Sequence, residues 1–170
     1  MNTNQINSFI LARTNEHKII LETLGEIEFC LKFTSRDEII NSLQKIIENF
    51  QIEIEHHHCL EEEVIFSSAL EAISGKKIIS TIQKLQKQHG EVEKTIEFLN
   101  YIICNFKDLD YLKIENFFKD LIIKIKKHSL IEVKELFPVL SSNPICIQLI
   151  KQRADNYASA TSKQSNKGEV

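Results

Sequence analysis

Six histidines occur in this chain, and four of them stand where an amphipathic helix would carry an apolar residue. These four are His17, His57, His89 and His128, one on each of four successive amphipathic stretches. Two are followed four residues later by a glutamate, giving the pairs His57–Glu61 and His128–Glu132. Residues at i and i+4 share a helix face, so each pair can aim an imidazole nitrogen and a carboxylate oxygen at one point. Burying such groups in a small core is costly unless something binds them. The chemistry they suit is metal coordination. Imidazole nitrogens with carboxylate oxygens, and no organised thiolates, fit iron, manganese or zinc.

The elements that must position these residues are legible from periodicity. The first helix is expected roughly from Ile6 to Phe33, with a stripe through Ile10, Ile20, Leu24, Ile27 and Leu31 that includes His17. Ser35 and Glu38 then have the spacing of a capping box. The second helix carries Leu43, Ile47, Phe50, Ile54, His57, Glu61 and Val64 in alternating steps of four and three, the rhythm of a bundle helix. Gly75 is expected to end it. The third repeats the rhythm from Ile78 through His89 to Ile103 and stops around Phe106–Asp110. The fourth carries Ile114, Phe118, Leu121, Ile125, His128 and Glu132, and Pro138 limits its continuation.

Short connections between long helices imply antiparallel neighbours. The expected fold is therefore all-α, an up-down-up-down antiparallel four-helix bundle over residues 1–142. Residues 143–170 would form a short helical extension of a turn or two, with a disordered tail from Ala158. Antiparallel packing permits a depth check. His17 lies 18 residues before Ser35 and His57 lies 22 after it; His57 lies 18 before Gly75 and His89 14 after; His89 lies 19 before Asp108 and His128 20 after. At about 1.5 Å per residue such mismatches amount to roughly 1–6 Å, so the histidines reach a common depth.

The neighbours of the stripe residues are expected elsewhere. His56 and His58 are each rotated by about 100° from His57, which places them on the surface or outside the ligand set. Glu62 and Glu63 are expected on a solvated face. Phe66 and Phe137, each nine residues after a histidine, are expected to close one end of the site. Glu93, beside the third stripe, is expected to be a partly exposed salt-bridging residue, with a further metal ligand as the alternative.

Composition narrows the class. With 42% hydrophobic residues, four Gly and two Pro, the chain reads as one helical domain. A net charge of −3, with Lys and Glu interleaved, points to neither nucleic acid nor an anionic membrane surface. The polar N-terminus is unlike a signal peptide, and no apolar run approaches membrane-spanning length. Cys30, Cys59, Cys104 and Cys146 are dispersed, which favours reduced thiols in a cytoplasmic protein over a disulfide framework.

A lone His, a His-x-x-x-Glu, a second lone His and a second His-x-x-x-Glu, each on its own helix, resembles the hemerythrin-like (HHE cation-binding) family. The correspondence of His57–Glu61–Phe66 with His128–Glu132–Phe137 is similar to that family's two-fold repeat, and Leu136-Phe137-Pro138 fits its Leu-Phe-Pro ending. Ile65-Phe66-Ser67 departs at the proline. The resemblance covers roughly residues 6 to 140.

It implies two iron ions in an oxo- or hydroxo-bridged non-haem centre. His17 and His57 would bind one, His89 and His128 the other, and Glu61 and Glu132 would bridge. Each iron would keep one position open for a small ligand. The oxygen carriers of the family have a His-x-x-x-His on the third helix and a His-x-x-x-x-Asp on the fourth. This chain has Glu93 and Val133 at those positions, and so resembles the four-His, two-Glu branch of stress response and iron-centre repair.

The function implied is binding or sensing of dioxygen, nitric oxide or peroxide in a stress response, with a small diatomic molecule or peroxide as the partner. A second reading is an iron donor for damaged iron–sulfur clusters, with an iron–sulfur client protein. That branch usually carries an additional N-terminal domain with a cysteine pair, and this sequence starts almost directly with the first helix, which ranks repair lower. A third reading, an enzyme reducing nitric oxide or peroxide, ranks below both, since nothing resembles a substrate pocket or reductase site.

Overall fold

The computed structural model describes the backbone over residues 3–33, 36–105 and 111–165, and side chains over 9–29, 43–103 and 112–160. The proposed Ser35–Glu38 cap, the connection at 106–110 and the Leu31 side chain lie outside the described residues. All regular structure among the described residues is helical, in the order α1 (Thr3–Phe33), α2 (Arg36–Leu60), α3 (Ser67–Ala72), α4 (Lys76–Asn105), α5 (Tyr111–Ile131), α6 (Phe137–Ser141) and α7 (Pro144–Ser165). Two π-helical segments, Glu61–Phe66 and Glu132–Leu136, join α2 to α3 and α5 to α6. Each of these trios is one continuous rod. The rods built on α1, α2, α4 and α5 pack in that cyclic order, each against two neighbours. This is the expected four-helix bundle.

The apolar stripes explain the packing. Ile20, Leu24 and Ile27 of α1, Leu43 to Ile54 of α2, Val92 to Ile103 of α4 and Ile114 to Ile125 of α5 form one dry core. A second core gathers Val64, Ile65, Phe66, Ile82, Leu85, Leu136, Phe137 and Leu140, with Cys146 and Ile150 from α7. The four stripe histidines and both glutamates lie between the cores, all buried.

The π segments were not expected, and they change the register of both rods. A straight α-helix would continue the fourth stripe from Glu132 to Glu135 and Val139, yet both are exposed, while Leu136 and Leu140 are fully buried. The stripe steps by four twice because a π turn accommodates one extra residue. The second rod steps likewise, from Glu61 to Ile65 to Ala69, with Glu71 turned to solvent. The wider turns are closed by the Phe137 N–H donating to the Glu132 carbonyl, and by the Ser67 N–H and hydroxyl donating to that of Glu62. Pro138 thus falls just after a π segment, at the start of α6, and does not end the rod, which runs on to Ser141.

Two further differences concern helix ends. Gly75 does not terminate the second rod: Ala72 is its last residue, and Ile73 is extended. Gly75 instead caps α4 by accepting hydrogen bonds from the N–H groups of Ile78 and Ile79, at 3.1 and 3.2 Å. The C-terminal segment also exceeds the expected turn or two. Asn143 Oδ1 accepts from the N–H groups of Ile145 and Cys146, both at 3.0 Å, with Pro144 in the first turn, a strong helix start. The resulting α7 runs through Ala158, where a disordered tail was expected, to Ser165, and it packs on α3, α6 and the first π segment. No described helix is long and apolar enough to cross a membrane.

Candidate metal centre

The imidazoles meet in two pairs. His17 Nε2 and His57 Nε2 are 2.9 Å apart, and His89 Nε2 and His128 Nε2 are 3.4 Å apart. The Glu61 carboxylate is divided between the pairs. Its Oε1 lies 3.1 Å from His57 Nε2 and 3.9 Å from His17 Nε2, and its Oε2 lies 3.2 Å from His89 Nε2 and 3.5 Å from His128 Nε2. Glu132 also spans the pairs, with Oε2 at 3.2 Å from His17 Nε2 and 3.4 Å from His128 Nε2. All six residues named from the sequence are therefore brought together. One ligand atom each from His17, His57, Glu61 and His128 falls within 4.8 Å of the others.

These residues fit a metal on two counts. None of the four oxygens of Glu61 and Glu132 has a hydrogen-bond partner, although all are buried. Two carboxylates buried among imidazoles are costly unless positive charge compensates them, and a metal cation held between the imidazole pairs would supply it. Metal–imidazole bonds of about 2.1 Å also put two cis nitrogens about 3 Å apart, close to the spacing in both pairs.

His17, His57, Glu61, His128 and Glu132 distort one another's protonation. Burial dominates at His17, helped by the neighbouring imidazoles, and drives its pKa down to about 3. At His57 burial is outweighed by the nearby Glu61 charge and by the hydrogen bond to Glu16, which raise it to about 9. His128 rises to about 10 because Glu132 and Glu61 overcome its burial. Glu61 is held well below the usual carboxylate range, its burial overcome by His57, His128 and His89. Burial and the Glu61 charge push Glu132 up to about 7.

Several supporting residues were misjudged or missed from the sequence. Glu16, unnoticed beside His17, places Oε2 at 2.8 Å from His57 Nδ1 and is itself paired with Arg13. Glu62 is not simply solvated, since its Oε1 accepts from His89 Nδ1 at 2.8 Å. Such partners orient the imidazole and raise its basicity as a ligand. His56 is exposed and His58 is buried outside the six facing residues, the two placements expected for this pair. The His58 ring stacks on His89 at 3.8 Å and 11°, and its Nδ1 bonds Glu93 Oε1 at 2.7 Å. Glu93 is thus the half-exposed partner of a histidine. Phe66 is fully buried and stacks on His89 at 5.5 Å, and Phe137 is buried nearby. Cys59 is half-buried, and the Tyr157 hydroxyl of α7 donates to its Sγ at 3.7 Å.

The internal repeat does not extend to Glu16 and Glu62 and gives no signal for them. It aligns Glu16 with Gln88 and Glu62 with Val133. His17 Nδ1 and His128 Nδ1, whose aligned positions carry Val133 and Gln88 in place of Glu62 and Glu16, have no hydrogen-bond partner, and neither does the buried Gln88 Oε1.

Four helices bearing this centre define a class that the sequence comparison names. The model of the hemerythrin HHE cation binding domain matches residues 14–140, and the chain belongs to that family. Its family and its His/Glu cluster together mark it as a metal-binding protein. Neither the curated proteins nor the solved structures yield a match to this chain.

Proposed function

We propose that this chain holds a non-haem pair of iron ions and uses them to bind or sense dioxygen, nitric oxide or peroxide in a cytoplasmic stress response. The observation that carries the reading is the Glu61 carboxylate, with one oxygen against each imidazole pair. His17 and His57 would hold one ion and His89 and His128 the other, with Glu61 and Glu132 between them. The bound irons supply redox-active positions at which a small oxidant can attach. The chain's own contribution is to hold six ligands from four helices and to keep water out with the two flanking cores. Protein loaded anaerobically with ferrous iron is expected to retain about two ions per chain and to change its optical spectrum on addition of oxygen or nitric oxide. A consistent single ion, or a spectrum indifferent to both gases, refutes the reading.

A second use, iron donation to damaged iron–sulfur clusters, is favoured by a specific feature. A cleft of about 260 Å³ lies over His57, lined by Glu16, Ile19, Ile20, Glu53 and His56. Transfer of iron from the loaded protein to an apo cluster protein tests it.

A further inference from the structure

The two halves of the centre are braced unequally. His89 is fixed by Glu62 at Nδ1 and lies parallel to two rings, His58 at 3.8 Å and Phe66 at 5.5 Å. His58 is in turn tied to Glu93. The repeat places Ser129 and Leu21 opposite His58 and Glu93, so the other half has neither the fifth imidazole nor its carboxylate. There His17 Nδ1 has no partner, and His57 Nδ1 is held by Glu16, a residue one-third exposed that lines the cleft. The cleft offers a cation the Glu53 carboxylate and the His56 imidazole on its way to Glu16, which is itself held by Arg13 and His57, with Ile19 and Ile20 completing the lining.

We propose that the two metal positions exchange separately. The ion at His17 and His57 enters and leaves as a divalent cation through the cleft, while the ion at His89 and His128 is retained by the His58–Glu93 brace. Release requires Glu16 to let go of His57 so that the imidazole can turn toward the cleft. The His89 ring, by contrast, is packed against the His58 and Phe66 rings. This inference rests on the two-metal reading.

Ferrous-loaded full-length protein, mixed anaerobically with an excess of a coloured ferrous chelator, is expected to lose iron in two phases of equal amplitude. Outer partners of a ligand change metal affinity by about 10- to 100-fold, so the phases should differ in rate by about tenfold or more. Glu53→Gln with His56→Ala should slow the fast phase alone. Glu93→Gln, which keeps the His58 ring in place while weakening its tether, should quicken the slow phase alone, and His58→Ala should do so more strongly. His17→Ala should leave a single, slowly released iron, and His89→Ala a single, quickly released one. Release of both ions in one phase, or cleft variants that slow both phases alike, overturns the proposal. A protein that binds two ions and loses them together defeats this inference only, whereas a protein that never binds two defeats the reading beneath it.

Discussion

The two halves of the centre carry the same ligands and differ in what stands behind them. Behind His57 is Glu16; the residue aligned with it is Gln88, and His128 Nδ1 has no hydrogen-bond partner. Behind His89 is Glu62; the residue aligned with it is Val133, and His17 Nδ1 is left bare. The repeat has thus kept the six residues that face one another at the centre and relaxed those one layer out. An imidazole in the first layer needs both nitrogen and orientation, but orientation can come from packing as well as from a carboxylate. His89 has both, and His17 has neither a Nδ1 partner nor a stacked ring.

The most damaging way to break this comparison is to remove what both halves share. Glu61 lies within 4 Å of all four imidazoles, whereas Glu132 lies within that distance of His17 and His128. Glu61→Ala should abolish binding of both ions, and Glu132→Ala should weaken binding without eliminating it, as read by metal content after gel filtration.

Next in size is the contrast among adjacent histidines. His57→Ala should strip metal sharply, His58→Ala should lower affinity at one half, and His56→Ala should leave the equilibrium content unchanged. If His58→Ala proves as harmful as His57→Ala, the division of labour in α2 is wrong.

Metal-free protein gives a third test, through pH. His17 and His58 are depressed in the fold, to about 3 and about 2, mainly by burial and by neighbouring imidazoles. The unfolded chain takes up their protons first, so the stability they permit at neutral pH is lost as pH falls below about 6.5. His57 and His128 are raised, to about 9 and about 10, so their contribution is complete below about 6.5 and fades as pH climbs through those values. Melting temperature should therefore peak near neutrality and decline on both sides. Iron loading should raise it at neutral pH, since a ligand bound only to the native state adds stability by mass action. A flat profile, with no shift on loading, contradicts the geometry.

The smallest expected effect restores symmetry. Val133→Glu would offer His17 the carboxylate that Glu62 gives His89. It should raise affinity at the His17/His57 half by no more than about tenfold, measured by competition with a chelator of known strength.

The bundle and the six facing residues were legible because burial leaves a period in the sequence, and His17, His57, His89 and His128 sit on that period. What escaped has a different physical origin. His58 lies 100° off the α2 stripe, and it is buried because α4 supplies Glu93 and His89 against it. Glu16 is likewise off its stripe, and a partner on another helix gives it its role. The π turns leave no propensity signal, although the change of step from Glu132 to Leu136 was there to be counted. Gly75 was read as a stop because glycine often follows a helix, yet no described glycine has a positive φ, and its carbonyl begins the next helix instead.

The π turns have one more consequence. In a crystal, an extra half-row of atoms ends in a dislocation, and the lattice on either side remains ordered but out of step. The extra residue at Glu61–Phe66 and at Glu132–Leu136 does the same to these two rods. Beyond it, each rod presents a face turned by about 100°. The two cores are thus separate lattices that happen to share their helices, and the centre lies on the fault between them. Either core can be redesigned within its own register, but no repacking that crosses the fault can keep both in step.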